Sequence, residues 1–172
     1  NAIVEDMGQK AGLLIMPPYG LFESSDISHR PIAQLAGRLE ISGEEISPID
    51  ADEIVRVARE MIEVHGVKAF AVTGYASHIN PAHELAVKQI IEQATGVHVT
   101  CGHGLSDKAN YRVRAETAAL NARIIPHLKG LLADVAVSLG QRDIDAPMMV
   151  VKSDGSLMNV TTAGLRPIET ML

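Results

Sequence analysis

Val67-Lys-Ala-Phe-Ala-Val72 runs directly into Thr73-Gly-Tyr-Ala-Ser-His-Ile-Asn80-Pro81-Ala-His83-Glu84, and this junction decides the fold class. The first part is apolar apart from Lys68, which predicts a strand covered on both faces of a sheet. Asn80 before Pro81 predicts a helix start, with Asn as the cap and proline at the first helical position, where its missing N–H costs nothing. Leu85, Val87, Ile90 and Ile91 supply the buried side of that helix, and Gly96 ends it. Upstream, Asp50 and Glu53 form a capping-box-like pair. They open a helix with an apolar face of Ile54, Val57, Ala58, Met61 and Ile62, stopped by Gly66.

Downstream, Val97 to Cys101 reads as the next strand, and Lys108 to about Gly140 as one long helical region. Its apolar positions are Leu120, Ile124, Ile125, Leu128, Leu131 and Leu132, and Pro126 is expected to kink or split it. Pro147 leads Met148-Met-Val-Val151, another buried strand, into the turn Ser153-Asp154-Gly155-Ser156. Near the start, Gly12–Met16 is a buried strand closed by Pro17-Pro18-Tyr19-Gly20. Residues 20–37 read as loop, and Arg38–Ile41 as a short edge strand. Alternating strands and helices predict an α/β fold, a mostly parallel sheet with flanking helices. Residues 10–45 form a strand and loop segment and residues 46–172 the α/β core.

With net charge −6 and aromatic content of 3%, the chain suits neither a nucleic-acid backbone nor base stacking. No apolar stretch is long enough for a membrane span. The single cysteine, Cys101, excludes an internal disulfide, fits a reducing cytoplasm and reads as a buried strand-end thiol. The chain starts Asn1-Ala2, read as the scar of a removed tag, and both ends are expected to be cuts in a longer polypeptide.

Polar groups fall where strands end, which is where α/β sheets build sites. Ser153-Asp154-Gly155-Ser156 is the best candidate for chemistry: Asp154 would sit near a phosphate, a metal ion or a substrate proton, or the segment is simply a β-turn. His78, His83 and Glu84 invite a metal reading, but same-face helix positions lie three or four apart and the histidines are five apart. His103, at the end of another strand, could approach them. Glu84 has a bland explanation in the helix dipole, and Arg112 and Arg114 have one in surface pairing with Glu116. Asn121 is a poor mid-helix residue, so it contacts backbone or reaches a ligand. Neither a Gly-x-x-x-x-Gly-Lys-Ser/Thr loop nor a Gly-x-Gly-x-x-Gly element occurs.

Taken together, Asn80-Pro-Ala-His83-Glu84, Arg114-x-x-Thr117-x-x-Leu120-Asn121-Ala122, Ser153-Asp154-Gly155 and Arg166-Pro167-x-Glu169-Thr170 resemble the hydantoinase A/5-oxoprolinase family. Departures are Pro17-Pro18-Tyr19-Gly20-Leu21 in place of the family's Thr-Thr-x-Gly-Phe, and Ser156 in place of a frequent second glycine. The resemblance implies part of an actin-like, ribonuclease H-like ATPase fold, with ATP and Mg2+ held between two lobes. It further implies an ATP-dependent cyclic-amide hydrolase that phosphorylates an amide or carbonyl oxygen, with a hydantoinase B-like partner. Carried onto this chain, Asp154 is catalytic, Ser153 and Gly155 face the cofactor, and Asn80, His83 and Asn121 face the substrate, with no protein metal ligand. The family's two Asp-x-Gly-Gly phosphate loops are not in this segment. The chain alone is therefore expected to be inactive, to hold no cofactor, and to self-associate through uncovered apolar surface. The alternatives are a noncatalytic binding or assembly subunit, and a kinase-like phosphotransferase of the same superfold.

Overall fold

The structure, a computed structural model, describes residues 9–20, 22, 23, 25, 27–106 and 108–165. The expected tag scar at residues 1–2 and the Arg166–Thr170 stretch lie outside the described residues. The chain divides into two compact units, one of residues 10–122 and one of residues 1–9 and 123–172.

Four parallel strands build the sheet of the first unit: β1 (Ala11–Met16), β2 (Ile32–Gln34), β5 (Ala69–Gly74) and β6 (Val99–Cys101). Their order is β2-β1-β5-β6. The register of β1 on β5 runs from Ala11 opposite Ala69 to Met16 opposite Gly74. Between β2 and β5 lie an antiparallel ribbon, β3 (Arg38–Leu39) with β4 (Glu45–Ser47), and the helix α1 (Ala51–His65). Helix α2 (Ala82–Thr95) joins β5 to β6, and α3 (Tyr111–Gly140) follows.

Successive strand residues point to opposite faces, so the sheet has two cores. Leu14, Met16, Phe70 and Val72 pack with Ile54, Ala58 and Met61 of α1 and with Val87 and Ile91 of α2. Leu13, Ile15, Ala69 and Ala71 pack with Ala115, Ala118, Ala119 and Ala122 of α3. Each fully buried Leu, Ile or Phe contributes about 1.5–3 kcal/mol, and both faces are covered, as the mostly parallel sheet with flanking helices requires. The buried stripe of α3 in this unit is made of alanines at three and four residue steps, with Leu120 only half-buried. Methyl-sized side chains let the helix backbone lie close to the sheet.

Local signals hold at the helix ends. Asp50 Oδ1 accepts from Asp52 N and Glu53 N at 2.9 and 3.1 Å, and Gly66 closes α1 with φ 68°. The reciprocal half of the box is not made, because Glu53 accepts from Ala36 N at 2.7 Å. Asn80 Oδ1 accepts from Ala82 N at 3.1 Å, while the helix begins at Ala82, one residue later than read. Other elements of this unit differ from expectation. Residues 32–34, read as loop, form β2. Arg38–Leu39 pairs with β4 in a separate ribbon rather than at the sheet edge. Of the two outcomes expected at Pro126, the split does not occur, since α3 continues through it.

The second unit contains the rest of α3, a hairpin of β7 (Met149–Val151) and β8 (Leu157–Asn159), and α4 (Val160–Leu165). The buried strand expected at 148–151 is an exposed one: Met149 and Val151 are 46% and 63% exposed, and β7 pairs only with antiparallel β8. Its apolar residues gave the same signature a covered strand gives, since periodicity cannot tell the two apart in a run this short.

Candidate functional site

The four parallel strands end together, at Met16, Gln34, Gly74 and Cys101. From β1 the chain passes to β2 on one side and returns as β5 on the other, so the topological switch lies between β1 and β5. Gly74, the last residue of β5, is held from two sides there. Its N–H donates to Glu84 Oε1 at 2.9 Å, and its carbonyl accepts from Arg114 Nη2 at 2.7 Å. Both side chains are fully buried.

Arg114 also donates to the carbonyls of Tyr75 (2.7 Å), Ala109 (2.9 Å) and Lys108. Glu84 Oε2 accepts from His103 N at 3.0 Å and lies 2.7 Å from His103 Nδ1. Two buried charges therefore tie together the loops after β5, after β6 and before α3. Burial pulls the Arg114 pKa down from its ordinary value, and the charge of Glu84 opposes that pull. An unpaired ion could not be kept in such a place, but a guanidinium whose two terminal nitrogens meet backbone carbonyls can, although its Nε has no hydrogen-bond partner. Reading Arg114 as a surface partner of Glu116 is thus corrected. Glu116 instead accepts from Ser28 N and Oγ.

Two of the residues expected to face substrate lie nearby. Asn80 Nδ2 donates to Gly43 O at 2.8 Å, and His83 Nε2 lies 2.6 Å from Glu45 Oε2. Both fasten the start of α2 to the β3–β4 ribbon. His83 is 5% exposed, so it lies on the buried stripe of α2 with Glu84, Val87 and Ile91, while Leu85, expected there, is exposed. Asn121 is fully buried on α3. His78 is exposed, and among the described residues neither it nor His83 belongs to a group of three possible metal ligands.

The group that does form is Glu84, Cys101 and His103, whose ligand atoms all lie within 4.8 Å of one another. Cys101 Sγ donates to Glu84 O at 3.6 Å. Burial and then the Glu84 charge push its thiol up to about 12, which makes it a slow nucleophile near neutral pH. Tyr19, read from the sequence as part of the turn that closes β1 and as a departure from the family pattern, stands there at φ 55° and is 66% exposed. A bulky residue in the left-handed region is uncommon enough to mark the position, but no sequence signal distinguishes it from an ordinary turn residue.

Asp154 lies in the second unit, in the exposed β7–β8 turn. Its Oδ1 accepts from Ser156 Oγ at 2.6 Å and Ser156 N at 2.8 Å, and Oδ2 is 3.4 Å from Lys152 Nζ. These contacts, the Ser156 hydroxyl first, hold the carboxyl below its ordinary value. Gly155 takes φ 81°, and its N–H donates to Lys152 O. An ionised, exposed carboxylate beside the Ser156 hydroxyl is a hard oxygen donor set that fits Mg2+. The turn does not make a phosphate cradle by itself, because the N–H groups of Gly155 and Ser156 are already used within it.

The chain was compared with known proteins. It resembles the ATP-dependent caprolactamase from Pseudomonas jessenii with TM-score 0.82 and 21% identity, over 99% of this chain and 28% of that one. It resembles acetone carboxylase, in a nucleotide-free structure from work on ATP-dependent acetone carboxylation, with TM-score 0.75 and 16% identity over the same shares. The chain thus spans about 28% of the length of either. No curated protein matches. Among the described residues, no helix is long and apolar enough to cross a membrane. The hydantoinase/oxoprolinase N-terminal region matches residues 1–95 and the hydantoinase/oxoprolinase region residues 114–172, so the chain belongs to the hydantoinase/oxoprolinase family.

Proposed function

We propose that this chain is part of an ATP-dependent enzyme that opens a cyclic amide after phosphorylating its carbonyl oxygen. The observation that carries the reading is the match of both family regions, in order along the chain, together with a fold shared end to end with two ATP-dependent enzymes. ATP supplies the phosphoryl group that turns a poor leaving oxygen into a good one.

The chain's own residues then divide the work. Asp154, kept ionised by Ser156, holds Mg2+ or orients the reacting oxygen, with Ser153 beside it and Gly155 setting the turn. Asn80 and His83 shape the substrate side from the start of α2. Asn121, buried, keeps α3 in place and acts as a positioning residue. The amide enters over the β1–β5 switch, and a hydantoinase B-like subunit completes the enzyme in the cytoplasm. Exposed Leu131, Val137 and Leu157 suit self-association of the isolated chain.

The test uses the longer protein that carries this chain. Asp154→Ala should lower ATP turnover at least roughly tenfold, as expected when a group that positions the metal or the transferred phosphoryl is lost. Near-normal turnover would remove Asp154 from the site. Free phosphate as the product supports the hydrolase, and a phosphorylated metabolite supports a kinase-like enzyme. No turnover with any lactam or hydantoin leaves a binding or assembly subunit.

A further inference from the structure

We infer that Glu84, Cys101 and His103 form a binding site for a zinc-class divalent cation at the carboxyl edge of the sheet. The site was not expected from the sequence, where only the histidines and Glu84 were weighed together. The fold assembles it from β6 and the two elements beside it. Cys101 is the last residue of β6, His103 sits two residues on in the turn 102–104, and Glu84 arrives from the first turn of α2. One sulfur, one imidazole nitrogen and one carboxylate oxygen within 4.8 Å of one another are a borderline-soft donor set. Such a set favours zinc over magnesium or calcium, and three protein ligands leave one position open.

The surroundings suit an ion. The 2.7 Å contact between Glu84 Oε2 and His103 Nδ1 is a hydrogen bond whose proton a cation can replace with little movement. Glu84 keeps its bonds to Gly74 N and His103 N, which fix the carboxylate, as outer partners of metal ligands commonly do. Gly102, between the two ligands, has no room for a side chain: a Cβ there would lie 2.1 Å from Thr73 Oγ1. That hydroxyl is fully buried and has no hydrogen-bond partner, so an unsatisfied polar group lies directly against the ligand-bearing turn. On binding, the metal–sulfur bond forms as the Cys101 S–H proton leaves to buffer, and the neutral His103 ring keeps its one proton on Nε2, freeing Nδ1 for the metal.

The experiment exploits Cys101 being the single cysteine. Co2+ is titrated into the 172-residue chain as a spectroscopic stand-in for Zn2+, and iodoacetamide alkylation is followed with and without Zn2+. The expected result is one Co2+ per chain, with the near-ultraviolet charge-transfer absorption of a thiolate ligand. Equimolar Zn2+ should slow alkylation at least roughly tenfold, because a metal-held sulfur is not a free thiolate. His103→Gln should abolish both effects while its circular dichroism stays that of the parent chain. Absent binding overturns the proposal, as does binding without the thiolate band or an alkylation rate indifferent to Zn2+. The alkylation readout needs no variant, so a poorly folding substitution leaves the proposal testable.

Discussion

The carboxyl edge of the parallel sheet and the β7–β8 turn both carry acidic side chains, and they treat them in opposite ways. Glu84 is completely buried, and its oxygens are taken by groups 10 and 19 residues away in sequence. Asp154 is fully exposed and bonded within its own turn. The first carboxylate is part of the scaffold, and its removal should be felt as unfolding. The second is available to solvent and ligands, and its removal should be felt as lost chemistry. Burial, more than residue type, sets the two carboxylates apart.

The strongest way to break this contrast is to delete the cation at the sheet edge. Arg114→Met leaves four backbone carbonyls without their donor and removes a cation that interacts with Glu84. Removing one partner from a buried charged network costs on the order of 3–5 kcal/mol, which urea unfolding would measure. Arg114→Lys should recover only part of it, because an ammonium cannot reproduce the guanidinium fork. A loss within experimental error would place Arg114 at the surface after all.

A smaller effect sharpens the same side. Gly102→Ala should cost about 1–3 kcal/mol by overpacking against Thr73. Pairing it with Thr73→Ala should return part of that loss in a double-mutant cycle. Asp50→Ala removes the cap of α1 and should cost about 1 kcal/mol, a purely local penalty set by two N–H groups.

Asp154→Asn marks the other extreme, with the smallest loss of the set near neutral pH, where the ionised carboxylate still makes its contacts within the turn. The acid limb carries the sign. A carboxyl held below its ordinary value contributes stability above the unfolded pKa, and that contribution disappears as pH falls through the lower folded value. NMR titration should therefore find Asp154 ionising below an ordinary aspartate, and Ser156→Ala should bring it back up. An unchanged titration in that variant would contradict the assigned cause.

The layered fold was legible because its signals are local: the apolar run before Thr73, the Asp50 cap, and the glycines at 66 and 96 all act within one element. The edge network was not legible because its partners are remote. Arg114 bonds Gly74 across 40 positions of sequence, and nothing near Arg114 reveals a carbonyl waiting there. Next to Glu116 it has the pattern of a solvated charge pair. His83 and Glu84 misled in a similar way. They occupy the buried stripe of α2, where a reading by hydropathy preferred Leu85. Tertiary partners made polar groups tolerable in the core, and such partners are invisible to periodicity. The Ser153–Ser156 turn was readable as a turn for the opposite reason, since all its bonds are its own.

The alanine stripe of α3 has a consequence for that network. Ala115 stands next to Arg114 in the chain, and its methyl group rests in the cluster with Ala69 and Ala71. The height at which the guanidinium meets Gly74 is thus gauged by methyl-thick spacers. A valine at 115 or 118 would act as a shim, lifting the helix and carrying the charge off its carbonyls. What these positions require is thinness rather than greasiness, a tolerance in the machinist's sense, one residue from the part it sets.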